Sequence, residues 1–123
     1  MQNKNIAVLS IAMVAVLMFV FSTGTIYAAD QNEPVIKITA KKFEYSHSSI
    51  KIKKGIPVIL ELTSLDRMHG FNCPKLGVRT DIEPGKVSRV RILAQKAGVY
   101  EFHCDIFCGD GHEDMYGKII VED

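Results

Sequence analysis

The run Cys104-Asp105-Ile106-Phe107-Cys108-Gly109-Asp110-Gly111-His112-Glu113-Asp114-Met115 sets two thiols, an imidazole and a thioether within one short loop. Thiolate and thioether are soft donors that select copper, above all in its reduced state, and imidazole holds the oxidised ion as well. The loop therefore reads as a redox metal site. A Cys-x3-Cys pair also fits a structural disulfide, with Cys73 left as a buried free thiol, and on the pair alone that reading weighs as much as a metal. His112 and Met115, at fixed offsets behind the pair, favour the metal.

A further strong donor has to come from another strand end. His69, in Leu65-Asp66-Arg67-Met68-His69-Gly70-Phe71, is the candidate. It follows an apolar strand and precedes a glycine, as a loop residue aimed at the same end would. His103 adjoins Cys104 but points to the opposite face of a continuing strand, which makes it an outer or exposed residue. His47 is expected in a surface turn, and Met68 in packing rather than ligation. Cys73 lies four residues beyond His69, roughly 13 Å away in an extended chain, so it is expected to be a free thiol near the site and not a ligand.

These donors need a frame, and the chain before them alternates with a period of two. Ile36, Ile38 and Ala40 alternate with Lys37 and Thr39, Ile50 and Ile52 with Lys51 and Lys53, and Val58, Leu60 and Leu62 with Ile59 and Glu61. Each run reads as a half-buried strand. Ser88 to Ile92, Tyr100 to Cys104 and Lys118 to Glu122 add three more, with Gly and Pro punctuating the intervals. No segment after residue 30 keeps a helical period over three turns. The expected fold class is all-β, with two packed antiparallel sheets forming a sandwich or barrel. Tyr100, Phe102 and Cys104 share one face, so the first thiol continues the line of core aromatics and the site sits at one end of the sandwich.

Ahead of this domain, a single charged residue, Lys4, precedes an uncharged stretch from Asn5 to Ala29 with a dense apolar block, Ile6 to Phe21. This is expected to be an export segment, cleaved near Ala28 or Ala29 or retained as one membrane anchor. Residues 1–29 then form the signal or anchor, 30–34 a short linker and 35–123 the domain, placed outside the cytoplasm (periplasm or outer face of the cytoplasmic membrane). Three Cys in an exported chain make a poor disulfide framework.

The chain carries 15 Lys and Arg against 14 Asp and Glu, and one of the 15 is Lys4. The exported part is thus near neutral, and no nucleic-acid role is implied. The charges are unevenly placed. Glu101, Asp105, Asp110, Glu113 and Asp114 crowd the copper end, with no Lys or Arg between Glu101 and Gly117, while Lys37, Lys41, Lys42, Lys51, Lys53 and Lys54 gather in the early strands. An acidic rim would steer a basic redox partner, such as a c-type cytochrome. Ordinary solvation of polar loops accounts for the same residues equally well.

From Asp66 to Glu122 the chain resembles the dinuclear-copper (CuA) cupredoxin domain of haem–copper oxidase subunit II. The resemblance is carried by Asp66-x-x-His69-Gly70-Phe71, Leu76-Gly77-Val78-x-x-Asp81, Glu83-Pro84-Gly85-Lys86, Ala97-Gly98-Val99-Tyr100 and the whole Cys-x3-Cys-Gly-x-Gly-His-x2-Met-Tyr-Gly loop. It is similar above all to the short, single-anchor subunits II of b-type oxidases, and the loop also resembles that of nitrous oxide reductase. The resemblance implies a Greek-key cupredoxin fold and two copper ions bridged by the thiolates of Cys104 and Cys108. It further implies that His69 and His112 bind one copper each, with Met115 a weak ligand to one ion and the backbone carbonyl of Ile106 a weak ligand to the other. The implied role is electron transfer from a c-type cytochrome or similar donor to a membrane oxidase or reductase.

Three features depart from that pattern. Many oxidase subunits have a Glu where this chain has Ile106, and that Glu also ligates a magnesium. The chain has no Trp, whereas many relatives receive electrons through an exposed aromatic pair. It has one candidate membrane segment where the larger subunits II have two. Two alternatives stay open: a mononuclear blue-copper carrier using His69, Cys108, His112 and Met115, and a copper delivery or storage protein for oxidase assembly. A stand-alone enzyme has the least support, since nothing resembles a substrate cleft or an acid–base pair.

Overall fold

A computed structural model of the chain describes residues 32–123; the expected export segment lies outside the described residues. Nine strands follow in order: β1 Val35–Lys41, β2 Glu44–Tyr45, β3 Ser49–Lys53, β4 Val58–Ser64, β5 His69–Cys73, β6 Val78–Ile82, β7 Ser88–Ile92, β8 Gly98–His103 and β9 Tyr116–Glu122. Two short 3-10 turns, Pro74–Leu76 and His112–Asp114, complete the elements. No helix among the described residues is long and apolar enough to cross a membrane.

The alternation read from the sequence sets the two faces. Ile38 and Ala40, Ile50 and Ile52, Val58, Leu60 and Leu62, Ile92, Phe102, Ile119 and Val121 are all buried, while their Lys, Arg and Glu neighbours face outward. One sheet has the order β2-β1-β4-β7 and the other β3-β9-β8-β5-β6. Between them Phe71 and Phe102 pack with ring centroids 4.7 Å apart, and Tyr45 stands edge-on to both. Cys104 follows this aromatic cluster directly along the chain, at the end of the sandwich.

Two expectations need correcting. The sheets are mixed, because β1 pairs parallel with β4 and β3 parallel with β9. Alternation decides which face a residue takes and leaves strand direction open. Between β1 and β4 the chain leaves for β3 in the other sheet, and a strand returning after such a crossover is not bound to run antiparallel as a hairpin would be. His69, expected in a loop, instead heads β5. The signal was present, since His69, Phe71 and Cys73 share parity and all are buried, but Gly70 and Asn72 between them masked a strand of ordinary β propensity.

Candidate metal centre

The site is assembled from two segments far apart in sequence. The first is the turn from β4 into β5. There the Asp66 carboxylate accepts the backbone N–H of Lys42 at 2.8 Å and that of Arg67 at 2.7 Å, and its Oδ1 lies 2.6 Å from His69 Nε2. Partial burial pushes the Asp66 carboxyl up, but these hydrogen bonds outweigh it and hold the group down at about 2. An ionised carboxylate only accepts, so Nε2 carries the ring proton and Nδ1 presents its lone pair. His69 is fully buried and its Nδ1 has no hydrogen-bond partner. A buried polar atom left unpaired is costly, and one on a histidine grouped with two buried thiols is suited to a metal.

The second segment is the loop from β8 to β9, closed at its base by the Cys104 N–H donating to the Met115 carbonyl at 3.0 Å. Cys104 Sγ receives the Gly70 N–H at 3.3 Å and lies 3.1 Å from the Ile106 carbonyl oxygen. Cys108 Sγ lies 3.5 Å from His112 Nδ1 and 3.9 Å from Met115 Sδ. The two sulfurs are 3.9 Å apart, and the donor atoms of His69, Cys104 and Cys108 all fall within 4.8 Å of one another. Both thiols are buried and free. Burial, and next the neighbouring Cys104, raise the Cys108 thiol to about 11, so a metal has to displace its proton.

This donor set fits copper. Two thiolates 3.9 Å apart are closer than twice a metal–thiolate bond of about 2.3 Å, taking zinc as the yardstick, so both can reach one ion on either side of the line joining them. Each thiol also has its own further donors, Ile106 O beside Cys104, and His112 and Met115 beside Cys108.

The remaining expected residues fall as follows. Cys73 is buried, apart from this group, with its thiol pushed up by burial. His103 lies on the face opposite Cys104, beside a shallow depression lined by Pro74, Lys75 and Glu101. His47 is exposed. Met68 is 37% exposed and lies outside the donor group. The acidic rim is less acidic than the sequence suggests: Arg79 pairs with Asp105, and Glu101 faces Lys118 across the β8–β9 ladder. Asp110, Glu113 and Asp114 are exposed.

Sequence reading missed the residues that tie the segments together. Arg67 Nη1 donates to the Cys108 carbonyl at 3.0 Å, and the Tyr45 hydroxyl donates to the Gly70 carbonyl at 2.6 Å. Burial, reinforced by Cys104, Asp105 and Cys108, pushes that hydroxyl above its ordinary range. None of these pairs has a signature in spacing, because the partners are 25 or more residues apart. Phe107 stands 72% exposed, its ring centroid 5.8 Å from that of His112, a surface position beside a donor that only the folded loop reveals.

Comparison with known proteins agrees with this geometry. Residues 10–121 match the cupredoxin-like domain family. The chain is 32% identical over 92 residues to cytochrome c oxidase subunit 2 of Thermus thermophilus, covering 75% of this chain and 68% of that one. It is 35% identical over 91 residues to the nitrous-oxide reductase of Ralstonia nicotianae, covering 71% of this chain but only 14% of that protein. The solved periplasmic domain of cytochrome oxidase subunit II from Bradyrhizobium japonicum superimposes with a TM-score of 0.70 over 78% of this chain and 86% of that one; at 22% identity it speaks for the fold alone. By sequence, the chain belongs to the cupredoxin-like domain family, where its relatives include subunits II of cytochrome c oxidase and nitrous-oxide reductases.

Proposed function

We propose that this chain is an extracytoplasmic electron-transfer protein whose loop holds a dinuclear copper centre of the CuA type. The observation that carries the reading is the pair of free, buried thiols 3.9 Å apart, each with its own additional donors. Cys104 and Cys108 would bridge the two ions, His69 Nδ1 and His112 Nδ1 would bind one each, and Met115 Sδ and the Ile106 carbonyl would be the weak ligands. Bound copper supplies a reversible one-electron couple. The chain does the rest: Asp66 fixes the His69 tautomer, the Gly70 N–H steadies the Cys104 sulfur, and burial keeps water from the thiols.

The partners follow the same reading. A c-type cytochrome or similar donor would dock at the loop end, where Phe107 and His112 bring the centre toward the surface and Asp110, Glu113 and Asp114 supply negative charge. A membrane oxidase or reductase would accept the electron. The relatives named cytochrome c oxidase subunit 2 and nitrous-oxide reductase support both ends of this path. The extracytoplasmic location rests on the export segment expected ahead of the domain.

A mononuclear blue-copper site is the second reading, favoured by the closeness of His112 and Met115 to Cys108. Electron paramagnetic resonance of the copper-loaded, oxidised protein separates the two. One electron shared by two copper nuclei of spin three halves gives a seven-line hyperfine pattern. Four lines, unchanged in Cys104→Ser, would replace the dinuclear centre with the mononuclear one.

A further inference from the structure

We infer that Phe43 is a positioning residue for the ligand loop, setting the spacing between the His69 segment and the Cys108–His112 segment; the inference rests on the copper reading above. Phe43 stands in the turn between β1 and β2, half-buried and packed on the core. Its ring lies against the glycines of the loop. A Cβ on Gly109 would come 3.2 Å from Phe43 Cε1, and one on Gly111 2.8 Å from Phe43 Cδ2. At Gly111 the three nearest atoms to such a Cβ all belong to Phe43. Both glycines have positive φ, 130° and 105°, which side-chain-bearing residues rarely adopt. Between Cys108 and His112, then, the chain runs over an aromatic platform with a closeness and a backbone conformation that only glycine allows.

The residue before Phe43 reaches the other half of the site. The Lys42 N–H donates to Asp66 Oδ2 at 2.8 Å, and the same carboxylate holds His69 Nε2. One turn therefore touches both donor-bearing segments, by apolar contact on one side and by a hydrogen bond on the other. Removing the ring would leave a void beneath the most permissive backbone of the loop. The loop can relax into that void, carrying Cys108 Sγ and His112 Nδ1 away from Cys104 and His69. Phe43 acts through Gly109 and Gly111.

The test compares the full-length protein with Phe43→Ala, Phe43→Val and Phe43→Leu for copper release to an excess of chelator, for the paramagnetic resonance spectrum and for melting temperature. Phe43→Ala is expected to release copper about 10–100-fold faster, matching the size of the affinity loss when groups that orient metal ligands are removed, and to alter the copper hyperfine coupling. Phe43→Leu keeps a broad apolar platform and is expected to restore both readouts most of the way. Phe43→Val carries the comparison if the alanine variant does not fold. A lowered melting temperature with unchanged release and unchanged spectrum would overturn the inference and make Phe43 ordinary packing. A wild type without a two-copper spectrum would overturn the copper reading instead, and the release rates would still decide whether Phe43 holds the donors in place.

Discussion

Arg79 lays its guanidinium across Asp105, with Nε 2.9 Å from Oδ2 and Nη2 3.1 Å from Oδ1, and so fastens β6 to the residue that follows the first thiol. The fork holds the Asp105 carboxyl below its usual range and places Oδ1 where a Cβ on Gly70 would be, 2.0 Å away. Gly70 is the residue whose N–H reaches Cys104 Sγ, so the ion pair covers a contact of the thiol itself. It also cancels one charge of the acidic end.

The pairing bears on docking. Arg79→Gln leaves Asp105 uncompensated and makes the loop end more negative. Electron exchange with a basic redox protein is expected to speed up about threefold at low ionic strength and to depend more steeply on salt. Stopped-flow kinetics over a range of ionic strength measures both, and identical salt profiles for wild type and variant would remove the loop end as the docking face.

Asp66 links pH to stability. Its folded carboxyl sits at about 2, below the ordinary 3.8. The ionised form is therefore favoured by folding, and its contribution is complete above about pH 4 and is lost as pH falls through about 2. Asp66→Asn is expected to lower the stability of the apoprotein at neutral pH and to flatten the fall between pH 4 and 2. Urea midpoints across that window test this; two curves that stay parallel throughout would mean the carboxylate is not held as described.

Thiol chemistry reports on the loop without any spectrum. With the Cys108 thiol raised to about 11, the apoprotein is expected to be alkylated slowly at Cys108 at pH 7 and progressively faster as pH climbs toward 11, since the thiolate is the reactive form. Copper loading is expected to block the reaction, and removing copper with a chelator to restore it. Residue-resolved mass spectrometry after timed labelling separates Cys108 from Cys73 and Cys104. Fast labelling of Cys108 at neutral pH would contradict the buried, protonated thiol.

Gly117 tests the frame under the site. A Cβ there would come 2.4 Å from Phe102 Cζ and 2.8 Å from the Ser48 carbonyl oxygen. The ring tip can shift, but the backbone of Ser48 is tied to β9 by the Lys118 N–H at 3.0 Å. Gly117→Ala is expected to cost about 2–3 kcal/mol of stability through overpacking, read from denaturant unfolding. A loss within experimental error would show that β3 and β9 separate easily at that point.

The donor loop and most of the strands were legible in the residues alone, and for one reason. Cys104, Cys108, His112 and Met115 lie within a single connection, and Ile50 with Ile52 or Leu60 with Leu62 alternate along a single strand. Local chain geometry is enough to say what each group can reach or which face it takes. Only the tertiary structure decided that His69 begins a buried strand, that Asp66 holds its Nε2 and leaves Nδ1 free, and that β1 and β3 find parallel partners. The same holds for Arg79 reaching Asp105, Arg67 reaching Cys108 and Phe43 seating Gly109 and Gly111. These contacts join positions tens of residues apart, and which of them form depends on how two sheets close around a shared core, a choice that no periodicity within one segment encodes.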